Sequence, residues 1–466
     1  MSLADLTLAD AIAVGRDGGA AALLEACLER LQMVQPKLNA AIWVDAQAAR
    51  DVAARMPRNG ALPGIPLAHK DMYYQAGKPC TCGSAIRRDF VPTITATVIE
   101  RLESAGSFTF AGLNMAEFAQ NPTGHNAAFG DCKNPWNTDY ITGGSSSGSG
   151  AAVAAGATFA SLGSDTGGSI RLPAAACGVT GLKPTQTRVS RRGVMPLSFS
   201  ADNAGPLARN ARDCAIMLQV IAGHDPADPT SAAEPVPDYM AALTGDVRGL
   251  RIGIPTGALM TAADPQVQAA IEAACAVLAA RGAVISRIDL PLMEAINTYV
   301  GIVSRVEGAT IHARWMRGRA QDYAPHLAAR LYAGAAIPGT YYVEALSRRG
   351  AILRAFAAEV FGQVDLIATP TIPTLLPTRA ATDVDRFAQG EGDGGVVARF
   401  NAVSVNTRPF NYLGLPAISL NCGFDSNGLP IGLQLAARPF DEAILLCAAD
   451  AYQRDTDFHS RMPPIA

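Results

Sequence analysis

Charge, aromatic side chains and paired cysteines are scarce in this chain. Only 17% of the residues are charged and the formal net charge is -3, with neither a basic stripe nor an acidic block. Nucleic acid and anionic membrane are therefore not expected as direct ligands. The N-terminus, MSLADLTLADAIAV, carries Asp5 and Asp10 where a secretory leader has basic residues, and it contains no long uncharged apolar run. The expectation is no signal peptide, no membrane span and a cytoplasmic location. Nine cysteines, an odd number, lie scattered mostly among apolar neighbours, which suits reduced thiols better than a disulfide framework. Cys80 and Cys82 have the donor atoms for half a metal site, but no second Cys/His pair stands near them, so no metal is expected. Aromatics make up 6% of the chain, and no internal repeat is visible.

Small residues are plentiful, and they concentrate. Between Gly143 and Pro184 the chain reads GGSSSGSGAAVAAGATFASLGSDTGGSIRLPAAACGVTGLKP. Two glycine turns bearing serine, Gly143-Gly144-Ser145-Ser146 and Asp165-Thr166-Gly167-Gly168-Ser169, bracket an Ala/Gly/Val run that reads as a helix followed by a short strand. Glycine pairs permit positive φ and remove the Cβ, so several backbone N–H groups can converge on one point. Such a point holds an anion, and in acyl chemistry it stabilises a developing oxyanion.

Around this stretch, 466 residues with 49% apolar content provide for a large core. Residues 3–57 read as amphipathic helices broken at Gly18-Gly19 and Pro36. Pro63 to Asp71 is a short apolar strand ending on Lys70, and a helix from Thr95 leads through Gly106 into a strand at 107–111. Residues 114–140 are turn-rich. Arg188 to Arg192 reads as a solvated basic patch, and the four prolines of 224–246 mark a surface connection. Leu250–Ile254, a helix capped by Asp264-Pro265, and Ala283–Ile288 form a βαβ unit, which requires a parallel strand pair. Helices rich in tyrosine follow over 299–362, then a strand at 365–369, an unpatterned glycine-rich segment at 378–399, and two buried strands at 411–423 and 429–435. Alternating helices and strands imply α/β layering. The organisation read from this is a helical segment 1–60, a core 61–223, the connection 224–246 and a C-terminal half 247–466.

Three motifs compete for the serine turns. A nucleotide P-loop needs Lys after its second glycine, and here Gly148 is followed by Ser149. A nucleophile elbow is matched by Gly144-Ser145-Ser146-Ser147-Gly148, but His224, His312, His326 and His459 offer no evident partner. The third reading joins both turns to Lys70. Gly143–Gly148, Gly163–Pro173 and Gly178–Pro184, with Gly64–Asp71 upstream and Leu413–Ala417 and Gly432–Gln434 downstream, resemble the signature of the amidase signature family over nearly the whole chain.

The resemblance implies an α/β fold with a single large mixed, mostly parallel sheet flanked by helices on both faces. It implies Ser169 as nucleophile, Ser145 as a bridging serine on a cis peptide after Gly144, and Lys70 as base. The backbone N–H groups of Thr166, Gly167, Gly168 and Ser169 are the implied oxyanion hole, and no cofactor is implied. Ser147 stands where the family usually has glycine. A lysine serves as base only if it is uncharged, and burial among apolar strands and neutral hydroxyls lowers its pKa toward roughly 7–8. Asp165 and Arg171 read as a structural pair holding the turn. His125, Asn126, Phe129 and Gly144 are candidate substrate-binding residues, and the segments 114–135, 299–345 and 378–410 are expected to decide specificity. Their Tyr- and Ala-rich character favours an aryl or bulky apolar group. The expected partner is a small-molecule amide or carbamate, with a homodimer left open. Three alternatives stand: a carbamate or ester hydrolase with the same triad, the glutaminase component of a tRNA-dependent amidotransferase, and a scaffold that has lost activity.

Overall fold

The computed structural model describes residues 2–465. Three strands, β1 (Ala41–Val44), β2 (Ile65–Lys70) and β3 (Ser107–Leu113), form a small sheet in the order β1-β3-β2. The others are β4 (Ala160–Asp165), β5 (Thr180–Lys183), β6 (Asn203–Ala208), β7 (Arg251–Pro255), β8 (Val284–Ile288), β9 (Leu366–Pro370), β10 (Ala417–Phe424) and β11 (Pro430–Ala436). These eight build one mixed sheet ordered β4-β6-β5-β10-β11-β9-β7-β8, and helices pack against it.

The mixed α/β architecture is as expected, but the strand directions are not mostly parallel. Five of the seven neighbouring pairs in the large sheet are antiparallel, and only β7·β8 and β7·β9 run parallel. The reason lies in the connections. β10 and β11 are joined by a tight turn at 425–429, which permits only a hairpin, whereas β7 and β8 are joined through the helix Pro265–Ala280, the crossover that parallel neighbours need.

The N-terminal segment also departs from an all-helical reading. Pro36 does not break the helix Ala20–Leu38; it sits in the last turn, where the missing N–H removes a single bond, and Asn39 at φ 51 ends the helix in the left-handed region. Residues 41–44 then pair with β3 as a strand. Arg188 is buried, not solvated: it lies 3.5 Å from the Glu442 carboxylate with its guanidinium over the Phe440 ring. Segment 378–399 holds the short helix Val384–Ala388, and another, Val396–Ala402, follows. Among the described residues no helix is long and apolar enough to cross a membrane.

At the centre lies the helix Ser147–Ala154, every residue of which is buried. It is built from Ser, Gly, Ala and Val because neighbouring backbones come too close for more. A Cβ on Gly148 would lie 2.4 Å from the Ala40 carbonyl oxygen and 2.5 Å from the Asn114 nitrogen. This wedge brings the small sheet against the large one. Two further bonds tie the sheets: Leu162 N–H to His69 Nδ1 at 3.0 Å, and Tyr73 O–H to the Gly163 carbonyl at 2.5 Å.

Candidate active site

β2 delivers Lys70 to this junction. Its side chain is 1% exposed, and Nζ donates to the hydroxyl of Ser145 at 2.7 Å and to that of Ser164 at 2.8 Å. Both acceptors are neutral. Burial is the largest influence on the ammonium and drives its pKa from 10.5 down to about 7, against a weaker opposing pull from Asp165 and Asp202. The lysine that closes the strand is turned inward to a wholly protein environment.

Ser145 follows a cis peptide after Gly144 and is fully buried. The Gly144 N–H donates to the Pro122 carbonyl at 2.7 Å, and a Cβ there would lie 2.4 Å from the Asn121 carbonyl oxygen. The next N–H, that of Ser146, donates to the carbonyl of Ser169 at 3.2 Å, which ties the first serine turn to the second.

The second turn is shaped by Asp165. Its Oδ1 accepts the Gly168 N–H at 2.8 Å and its Oδ2 the Ile170 N–H at 3.2 Å. Arg171 clamps the same carboxylate through Nη2 at 2.9 Å and Nε at 3.0 Å, with both side chains fully buried. Arg171 also donates to Gln434 Oε1 and Asn411 Oδ1, each at 2.6 Å, so strand β11 and the 407–412 segment are fastened to the turn. Arg171 holds the Asp165 carboxyl far below the usual carboxylate range despite its burial. The structural-pair reading of Asp165 and Arg171 agrees with this geometry.

The four-donor oxyanion reading needs correction. The Gly168 N–H is occupied by Asp165, whereas the N–H groups of Thr166, Gly167 and Ser169 have no acceptor among the described residues. Three donors are thus free for a ligand oxygen. Thr166, Gly167 and Ser169 line a cleft of about 90 Å³ together with Gln120, Asn121 and Arg330.

The candidate pocket residues His125, Asn126, Phe129 and Gly144 do not line this cleft. His125 is held by Asp131 at 3.0 Å and faces Thr382 at 3.3 Å. Asn126 Nδ2 donates to the carbonyls of Gly83 and Met115, and its Oδ1 accepts two N–H groups of its own loop. Phe129 lies under the Arg88 guanidinium. These side chains pack the loop; residues 119–122, a few positions earlier, reach the cleft. Phe400 is the aromatic side chain of the cleft; no tyrosine or tryptophan among the described residues lines it, and Trp315 and Tyr323 pack on Phe118 instead. The segments named for specificity do contribute, through positions within 119–122, 300–305 and 400–408 and through Arg330. Sequence reasoning misses Ser164, although it sits inside the Gly163–Pro173 motif directly before Asp165.

Known proteins resemble this chain over nearly its whole length. The chain is 42% identical to the A subunit of the Glutamyl-tRNA(Gln) amidotransferase of Chloroflexus aggregans (strain MD-66 / DSM 9485), over 95% of this chain and 94% of that one. A solved structure described as an unexpected vestigial protein complex that reveals the evolutionary origins of an s-triazine catabolic enzyme superposes with a TM-score of 0.88 at 31% identity, covering 97% of this chain and 98% of its own. The 6-aminohexanoate cyclic dimer hydrolase in complex with substrate superposes with a TM-score of 0.91 at 27% identity, over 99% of each chain. The Amidase family model matches residues 22–446, and with the two serine turns and the inward lysine in place, the chain belongs to the amidase signature family of hydrolases.

Proposed function

We propose that the chain hydrolyses the C–N bond of an amide, or of a related carbamate, through an acyl-enzyme on Ser169. The observation that carries this reading is a buried lysine bonded to two neutral hydroxyls instead of to a carboxylate. An amine so placed is uncharged for part of the time at neutral pH and can accept a proton. Ser169 attacks the carbonyl carbon while its proton passes to Ser145 and the proton of Ser145 passes to Lys70. The carbonyl oxygen takes up negative charge toward the free N–H groups of Thr166, Gly167 and Ser169. When the C–N bond breaks, Lys70 returns the proton through Ser145 to the departing nitrogen. Water then attacks the ester by the same route, releasing the acid and restoring Ser169. A carbamate or an ester presents the same carbonyl and follows the same path.

A fluorophosphonate probe should label wild-type protein at Ser169, and Ser169→Ala should lose both labelling and amide hydrolysis. Normal turnover by Ser169→Ala would overturn the reading. The identity to the amidotransferase relatives favours a second reading, in which the cleft hydrolyses glutamine and supplies ammonia to a partner acting on charged tRNA. Glutaminase activity that is negligible alone and rises strongly on adding the partner proteins supports it, whereas efficient hydrolysis of another amide by the isolated chain argues against it.

A further inference from the structure

Three guanidinium groups meet at the cleft that holds Ser169, and none has an acidic partner. Arg305, Arg330 and Arg408 line it, no Asp or Glu does, and none of the three belongs to an ion pair among the described residues. Arg305 is exposed, while Arg330 and Arg408 are partly buried. Arg330 is aimed by two neutral acceptors, with Nε donating to Gln120 Oε1 at 3.0 Å and Nη2 to Ser304 Oγ at 3.3 Å. Burial first, and then repulsion from Arg305 and Arg408, pulls the Arg330 guanidinium below its ordinary range; burial and Arg305 do the same to Arg408. Positive charge concentrated in a cleft without counter-charge calls for an anion.

A second set of groups points the same way. Gln120 Nε2, Asn121 Nδ2 and Ser404 Oγ are buried polar atoms on cleft-lining residues, and none has a hydrogen-bond partner among the described residues. The three residues are 6%, 3% and 3% exposed. Asn121 spends its oxygen on Thr123 and Gly124, and Gln120 spends its oxygen on Arg330, so in both the amide nitrogen is left over. Buried donors without acceptors are costly, and oxygen-rich ligands relieve them.

We infer that the substrate is an anionic amide with a short acyl part that bears at least one carboxylate and no ammonium group, the carboxylate being held by Arg330 and Arg408. The inference rests on the amide-hydrolase reading of the same cleft. An ammonium has no acidic partner there and faces three like charges, which sets such a substrate apart from glutamine.

Three amides of matched length test this: valeramide, which is neutral; glutaramate, which adds a carboxylate; and glutamine, which adds an ammonium as well. The expected kcat/KM is highest for glutaramate, by about 10- to 100-fold over valeramide, the range set by losing a hydrogen bond to a charged group. Arg330→Met and Arg408→Met should each collapse that ratio toward one, and added salt should lower the glutaramate value selectively. Glutarate, the product dianion, should slow fluorophosphonate labelling of Ser169 in the wild-type protein, a readout that needs neither variant nor turnover. Equal or better use of valeramide or glutamine, or no protection by millimolar glutarate, overturns the inference while labelled Ser169 leaves the amide-hydrolase reading standing. A Ser169 that resists labelling overturns both.

Discussion

Acid titration of Lys70 gives the sharpest test of the proposed chemistry. Lowering its pKa from 10.5 to about 7 corresponds to roughly 5 kcal/mol of preference for the neutral amine in the folded protein. If the neutral form is the base, kcat/KM should rise with pH through about 7 and level off above it. It should stand about tenfold below the plateau at pH 6 and about 100-fold below at pH 5. A second buried lysine makes a useful control. Lys183 is also driven to about 7, by burial and then by Arg171, but its Nζ donates only to the Pro184 carbonyl at 2.9 Å. Lys183→Met should keep the limb, whereas Lys70→Arg, which cannot lose its proton, should lose about three orders of magnitude in rate. The same group leaves a mark on stability. Between about pH 7 and 10.5 the unfolded chain holds a proton on Lys70 that the native chain has released, so native stability rises with pH across that window. Lys183 adds a slope of the same sign over the same window, so Lys70→Met should remove only the share of Lys70, roughly half of what the two lysines give together, in urea titrations. A profile that stays flat from pH 8 to pH 5, or a limb that disappears with Lys183, refutes the reasoning.

Three further outcomes follow from the geometry. Arg171→Met leaves the Asp165 carboxylate buried without its partner and should cost about 3–5 kcal/mol in urea unfolding, since both side chains are fully enclosed. Gly168→Ala should lower kcat by about 100-fold or more, as expected when a donor turn is misplaced: its φ of +130 excludes other residues, and the added Cβ would lie 2.3 Å from Thr407 Oγ1. Replacing His125 with alanine should change kcat/KM by less than about threefold while lowering stability by about 1–2 kcal/mol, because its ring is engaged by Asp131 and not by the cleft. A large kinetic effect there would return His125 to the pocket.

Local patterns are readable where chain neighbours alone decide the outcome. The helix of small residues at 147–154, the strand after it, the βαβ unit capped by Asp264 and the lysine at the end of β2 all agree with the sequence pattern. What escapes the pattern depends on partners far along the chain. Ser164 takes its meaning from Lys70, 94 positions away, and Gln120 aims Arg330 across 210. His125 and Asn126 resemble pocket residues because they stand in a turn-rich loop beside a serine turn. Which side chains of such a loop face inward is set by hydrogen bonds that spacing does not encode. Strand direction eludes the sequence for a related reason: the order of elements fixes that a sheet forms, but the lengths of the returns decide its polarity.

The contact of Lys70 with Ser164 also joins two separately hydrogen-bonded sheets, the smaller supplying the amine and the larger the hydroxyl. On the proposed mechanism, turnover is therefore a property of a joint, not of either piece. Loosening the wedge between them with mild denaturant should silence the enzyme while most amide protons remain protected from exchange.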